Sequence, residues 1–370
     1  MKILFLLHSY YKYNQGGAEL QIKYIAEYLN KKGFEIHYLF LYKEEIDVIE
    51  NNIHLYSIKK SVIGEKLLGK LCYYNKVLDK LNQINPNIVY HRNLSTFALP
   101  VVKYCNNNNC KSFLHLAHIQ DVEDSLKLNK RIVANILDKY GRRTILTKFD
   151  KVIAQAEYQD ILLKENFKRK ADLILPNMHP YPKEKIFKNE KIKVLWIANF
   201  KSWKQPEKFI ELANKCQDVD VEFIMIGRDS NDEQSRILKK DISKLNNLTY
   251  IGEISVDEVN QYLSNSHIFV NTSLSEGFPN TFIQSWMREV PVVSLHVNPD
   301  NILTINNIGF YSKTLIQMIK DIKLLIEDNQ LRKTMGKNAK KISMRRYSLQ
   351  NIDDIIKLIK MKKNEKITNN

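Results

Sequence analysis

The chain has 370 residues, 44% of them hydrophobic, and a formal net charge of +16. That length predicts roughly two domains, and that composition a folded globular chain rather than a disordered or fibrous one. No run approaches the ~18 apolar residues of a membrane-spanning helix, and Cys72, Cys105, Cys110 and Cys216 lack metal-site spacing, so free thiols in a reducing cytosol are expected.

In chain order, Met1 to Leu7 has the look of a secretion signal, but the apolar stretch stops at His8, so Ile3 to Leu7 reads as a first buried strand. Gly16 and Gly17 break the chain before a helix with Ala18, Ile22, Ile25, Ala26 and Leu29 on one face and Gly33 as its C-terminal cap. Strands are then predicted at Glu35 to Tyr42, Ile88 to Tyr90, Ser112 to Leu116, Lys151 to Ala154 and Leu173 to Leu175. The pattern restarts at Lys193 to Ala198 and continues through Val221 to Gly227, Leu248 to Gly252, Ile268 to Val270 and Pro291 to Leu295, with helices filling every interval.

Two such series define an α/β chain with two parallel-sheet domains. The prolines at 176, 180 and 182 mark the boundary, giving a first domain over 1–178, a linker over 179–190 and a second domain over 191–347. A final helix over 348–362, with Leu349, Ile352, Ile355, Ile356 and Ile359 at helical spacing, is expected to cross back to the first domain, and residues from 362 onward to fray.

The stretch from Ser275 to Ser285 places a carboxylate, a tight turn and a helix start side by side. A helix opening at Asn280 aims N–H groups at whatever lies above the strand ends, which is where an open parallel sheet binds ligands; an ordinary loop with Glu276 as a helix-start acid is the alternative. Arg228, after Gly227 at a strand end, is either at the same edge or a solvated loop residue. His115, His118 and Asp121 lie at the end of a predicted strand, and Asp121 is also placed to cap the next helix. Asp218 and Asp220 spell D-x-D, but they precede a strand, at the end opposite the ligand edge, and read as a turn.

The positive charge attracts polyanions, anionic lipid or phosphorylated substrates. It comes mostly from scattered lysines, without a recognition helix, zinc finger or aromatic and basic alternation, so nucleic acid is not an expected partner. Leu67, Leu68, Leu71, Val77, Leu78 and Leu81, among the lysines of 59–80, fit either the core or a membrane interface.

Taken together, these motifs resemble the family 4 glycosyltransferases, two-domain enzymes of the GT-B architecture. Glu276-Gly277-Phe278-Pro279 with Gln284 is similar to the family's Glu-x7-Glu signature, Gly16-Gly17-Ala18-Glu19 resembles its glycine-rich loop, and Ala154 to Glu157 leading to Ile174-Leu175-Pro176-Asn177 resembles its hinge region. The resemblance implies two Rossmann-like domains facing each other across a cleft, and retaining transfer of a sugar from a nucleotide-diphosphate sugar. It implies no cofactor and no metal. The expected acceptor is a saccharide or lipid-linked saccharide in bacterial surface polysaccharide or glycolipid synthesis, and the expected location is the cytoplasm, with peripheral contact to the inner membrane face.

Position by position, the resemblance implies that Glu276 contacts donor-sugar hydroxyls and that the main chain of Gly277, Phe278, Pro279, Asn280 and Thr281 meets the sugar and diphosphate. Gln284 stands where the family usually has the ribose-binding carboxylate, and its amide offers both a donor and an acceptor to a diol. Lys204 matches the lysine of a diphosphate clamp. Asn199 occupies the clamp's arginine position, with Lys201 or Arg228 nearby to replace that cation. Tyr250 to Glu253, centred on Ile251, would lie near the nucleobase. His118, or else His115, would touch the donor sugar. Gly16, Gly17, Glu19 and Asp121 would form the acceptor side, Glu19 being equally a helix-start acid.

The departures at Asn199 and Gln284 leave a catalytically silent binding partner as the second reading. A nucleotide-sugar epimerase of the same fold is a third.

Overall fold

The computed structural model describes residues 1–123 and 132–361, except the side chains of residues 132–134. The chain divides into two compact units: Met1–Asn177 with Leu349–Asn370, and Met178–Ser348. The expectation of fraying from residue 362 onward lies outside the described residues.

Unit 1 is built on eight strands: β1 (Lys2–Leu6), β2 (Glu35–Tyr42), β3 (Asp47–Glu50), β4 (Ile53–Lys59), β5 (Ile88–Arg92), β6 (Lys111–His115), β7 (Lys151–Ala154) and β8 (Leu173–Ile174). Their order is β3-β4-β2-β1-β5-β6-β7-β8. All pairs are parallel except β3 with β4. Ile3, Leu4, Phe5 and Leu6 are wholly buried, as expected of a central strand covered on both faces. The helix Gly17–Lys31 buries Leu20, Ile22, Ile25, Ala26 and Leu29, and Gly33 at φ +87° turns the chain out of it.

The interval after β2 departs from the expected helix. Asn51 and Asn52 both adopt left-handed φ values, +51° and +62°, and join β3 to β4 as a two-residue hairpin. Helices then follow at Val62–Leu68 and Tyr74–Ile84. Val77 and Leu81 enter the core, whereas Val62, Ile63, Leu67 and Leu68 are exposed. The C-terminal helix Ile352–Lys360 belongs to unit 1: it buries Ile352, Ile355, Leu358 and Ile359, and the Lys111 ammonium donates to its end at Ile359 O (2.9 Å) and Met361 O (2.6 Å).

Unit 2 has six parallel strands: β9 (Ile192–Ile197), β10 (Val221–Ile226), β11 (Leu248–Gly252), β12 (Ile268–Asn271), β13 (Val292–Ser294) and β14 (Gly309–Tyr311), ordered β11-β10-β9-β12-β13-β14. The short β14 was not expected from the sequence. Residues 179–190, expected as a linker, are part of this unit. The prolines do prevent regular structure there, but side chains tie the segment down. Glu184 pairs with the buried guanidinium of Arg288, and the Lys188 ammonium donates to Ser266 O and Leu263 O. His179 N–H donates to Tyr347 O at 2.9 Å, so the two ends of the unit lie together. Among the described residues, no helix is long and apolar enough to cross a membrane.

Candidate functional site

In unit 2 the connections after β9 lead to one side of the sheet and those after β12 to the other. A crevice therefore opens above the carboxyl ends of these two neighbouring strands. Lys204 comes from the first connection, at the end of the short 3-10 turn Ser202–Lys204, and Glu276 from the second. Their side chains form a direct ion pair, and both are mostly withdrawn from water, at 22% and 15% exposure.

The backbone beneath the pair is latched in three places. Thr272 Oγ1–H donates to Lys204 O at 2.6 Å while accepting from Trp196 Nε1–H at 2.9 Å, and Leu274 N–H donates to Trp203 O at 2.8 Å. Trp196 is itself fully buried, so the latch is fixed by the core. Sequence reasoning did not single out Thr272; the signal was a hydroxyl immediately after a buried strand, in a position to satisfy an indole N–H.

The rest of the signature packs around the carboxylate. Phe278 is buried against Trp286 and Tyr347, with ring centroids 6.2 and 5.1 Å away, which anchors the turn from below. Gly277 and Pro279 are buried too, and Asn280 and Thr281 are half-buried at the start of the helix Asn280–Trp286, whose N-cap Pro279 makes no side-chain cap. Gln284 lies inside, 4% exposed, and its Nε2–H donates to Asn260 Oδ1 at 3.2 Å on the neighbouring helix.

Asn199, Arg228 and Ile251 occupy the carboxyl ends of β9, β10 and β11. Asn199 is exposed, and its Oδ1 accepts Arg228 N–H at 3.1 Å; the Arg228 guanidinium extends toward Glu253 at 3.9 Å, and Ile251 is exposed. Gly227 permits this convergence: at φ +147°, a Cβ there would lie 1.8 Å from Ala198 O. Asp218 and Asp220 sit before β10, at the opposite edge, in ion pairs with Lys323 and Lys191.

Unit 1 has its own divergence point, between β1 and β5. Across it His8 Nε2 and Ser95 Oγ meet at 2.8 Å. Glu19, in the first turn of Gly17–Lys31, accepts from Ser9 Oγ–H at 2.6 Å, and its carboxylate fills the space that a Cβ on Gly16 would need. Gly17 is exposed.

Asp121 is buried, and three backbone N–H groups donate to it, from Leu94 (3.2 Å), Ala117 (2.7 Å) and His118 (3.0 Å). It therefore acts as a helix-start cap that also ties the β6 loop to the β5 loop. His118 is half-buried and accepts Gln120 N–H at Nδ1. His115 is fully enclosed, 2.6 Å from Tyr90 Oη and 2.9 Å from Arg92, and burial holds its pKa well below the ordinary range. Of the two histidines, only His118 has access to solvent.

Residues 179–342 match the family model described as glycosyl transferases group 1. Unit 2 is thus a glycosyl transferase group 1 domain. Over 362 residues, 93% of each chain, the protein is 26% identical to an uncharacterized glycosyltransferase of Methanocaldococcus jannaschii. It also superposes on the sucrose-phosphate synthase of Thermosynechococcus elongatus with a TM-score of 0.78 and 14% identity, covering 97% of this chain and 98% of that one. Anabaena HepE in complex with UDP-glucose gives a TM-score of 0.73 and 18% identity over 97% of this chain and 98% of that one. At these identities the solved structures establish the fold, the two-domain α/β architecture of the GT-B glycosyltransferases.

Proposed function

We propose that the protein is a retaining glycosyltransferase that moves a sugar from a nucleoside-diphosphate sugar, of the kind HepE binds, to a saccharide or lipid-linked saccharide, without a metal. The observation that carries this reading is the ion pair of Lys204 and Glu276 at the divergence point of the group 1 domain. A cation and a carboxylate held together there match the two halves of a sugar diphosphate: the ammonium faces the anionic diphosphate, and the carboxylate accepts hydrogen bonds from sugar hydroxyls.

When the donor binds, each side chain exchanges its partner for the ligand. As the sugar–phosphate bond breaks, charge gathers on the departing diphosphate and positive character on the sugar. A preorganised ammonium stabilises the first more than it stabilises the ground state, which is the source of acceleration. Main-chain groups of Gly277 to Thr281 complete the diphosphate site, Gln284 serves the ribose, and Asn199, Arg228 and Ile251 border the nucleoside. Gly16, Gly17 and Glu19 serve the acceptor.

The exposed apolar side chains of Val62, Ile63, Leu67 and Leu68, beside the exposed lysines Lys59, Lys60 and Lys66, support presentation of the acceptor at an anionic membrane surface on the cytoplasmic side. Salt-sensitive binding to anionic vesicles tests that part of the reading, and its absence refutes it.

A panel of nucleoside-diphosphate sugars, incubated with saccharide and lipid-linked acceptors, tests the function. Acceptor-dependent release of a nucleoside diphosphate is expected. Binding without release with every acceptor identifies a silent partner, and acceptor-independent conversion of the sugar identifies an epimerase.

A further inference from the structure

At the amino edge of the unit 1 sheet, away from the loops after β1 and β5, three potential metal ligands converge. Glu35 and His37 are two residues apart on β2, so their side chains leave the same face, and the parallel register sets His54 of β4 directly beside His37. The two imidazoles stack with centroids 4.3 Å apart and an interplanar angle of 11°. His37 Nε2 lies 2.7 Å from Glu35 Oε1. One ligand atom from each of the three residues lies within 4.8 Å of the other two.

We propose that Glu35, His37 and His54 form a binding site for a divalent transition-metal ion of the zinc class. Two imidazoles and one carboxylate are a known three-ligand zinc set, with the fourth position left to water. Imidazole donors select zinc, cobalt or nickel over magnesium or calcium.

Bond lengths of about 2.0–2.1 Å place ligand atoms of a tetrahedral site roughly 3.3 Å apart, so the 2.7 Å His37–Glu35 contact has to open and the wider separations, within 4.8 Å, have to close. His37 is locked, 2% exposed, whereas Glu35 is exposed and His54 half-buried, so the outer two ligands are the ones able to close. The nitrogen of His37 that faces the other two residues is Nε2, so a bound metal takes the place of its hydrogen bond to Glu35.

The ammonium of Lys2 is adjacent; it donates to Ile84 O at 2.8 Å and lies 3.9 Å from Glu35 Oε1. This leaves the second carboxylate oxygen for the metal. The site is separate from the proposed transfer chemistry, since it lies at the edge opposite the ligand loops. Bound metal would pin β2 to β4.

The test uses the tag-free full-length protein, stripped with chelator. Co2+ is added while the visible d–d absorption is followed, and Zn2+ is titrated calorimetrically. One equivalent is expected to bind, with the spectrum of a low-coordinate nitrogen and oxygen site. His54→Gln, at a half-buried position that can be replaced without opening the core, is expected to abolish the cobalt spectrum, and Glu35→Gln to weaken binding by about tenfold or more. Thermal melts of the metal-free variants establish that they fold. Absence of one-equivalent binding in the wild type, or equal binding by wild type and folded His54→Gln, overturns the proposal.

Discussion

Lys204 and Glu276 stand 72 positions apart in the chain and form one ion pair, each carried by the loop of a different neighbouring strand at the point where the unit 2 connections part. Neither loop is free to wander. Thr272, on the connection that carries Glu276, bonds both the main chain of Lys204 and the core indole of Trp196 on the strand that leads to Lys204. The two side chains satisfy each other, so a donor bound as proposed has to replace an interaction that already exists.

Replacing either member should therefore impair transfer without unfolding the protein. Lys204→Ala and Glu276→Ala are each expected to lower kcat by about 10²–10³, the usual effect of removing one preorganised electrostatic contact. The double variant should lose less than the product of the two single effects, because the groups act on one ligand and on each other. Steady-state kinetics with circular dichroism as a folding control measures this; wild-type activity in both single variants would discard the site.

Gly227 is predicted to be intolerant of any side chain. Its φ of +147° and the 1.8 Å approach of a virtual Cβ to Ala198 O leave nowhere for a methyl group. Gly227→Ala should cost on the order of 3 kcal/mol in urea unfolding, and it should also weaken nucleotide binding by displacing Asn199 from Arg228.

The Glu184–Arg288 pair predicts a further loss. Arg288 is 1% exposed, with Glu184 on Nε and Nη2 and Gln284 O on Nη1 at 2.9 Å. Glu184→Ala removes the carboxylate that faces this buried guanidinium, for which about 3 kcal/mol of destabilisation is expected. Limited proteolysis should then cut within 179–190 first, since that segment loses its anchor.

Acid should destabilise the fold through buried histidines. Burial lowers His91 to about 4, His179 to about 3 and His267 to about 4, from an ordinary value of 6.5. Between those values and 6.5 the unfolded chain binds protons that the native chain refuses, so stability rises with pH across this window and is lost as pH falls through it. Each group contributes a slope of about 1.4 kcal/mol per pH unit. Melting temperatures measured from pH 7 to pH 4 should fall steadily; a flat profile would contradict the neutral, buried state of these rings.

The parallel strands were legible because each is a short continuous apolar run between turn residues, and β2, β7 and β11 begin and end where the sequence placed them. The β3–β4 hairpin was not, because Asn51-Asn52 lacks the glycine that usually announces such a turn, and asparagine enters the left-handed region through its own local hydrogen bonding. Lys204 was singled out through motif resemblance alone, and Glu276 through resemblance together with strand-end logic. Gln284 shows the limit of that route: its amide meets Asn260, 24 positions earlier, a contact between two helices that no local pattern specifies. The same holds for Glu184 and Arg288. His115 and His118 differ by three positions, and only the end point of β6 decides which is enclosed.

The most direct measurement is calorimetric titration of the nucleoside-diphosphate sugar that the panel selects, and of its nucleoside diphosphate, into the wild type, Lys204→Ala and Glu276→Ala. The wild type is expected to bind both, Lys204→Ala to lose affinity for both, and Glu276→Ala to lose affinity chiefly for the sugar-bearing ligand. Equal affinities in all three proteins would contradict the proposed site.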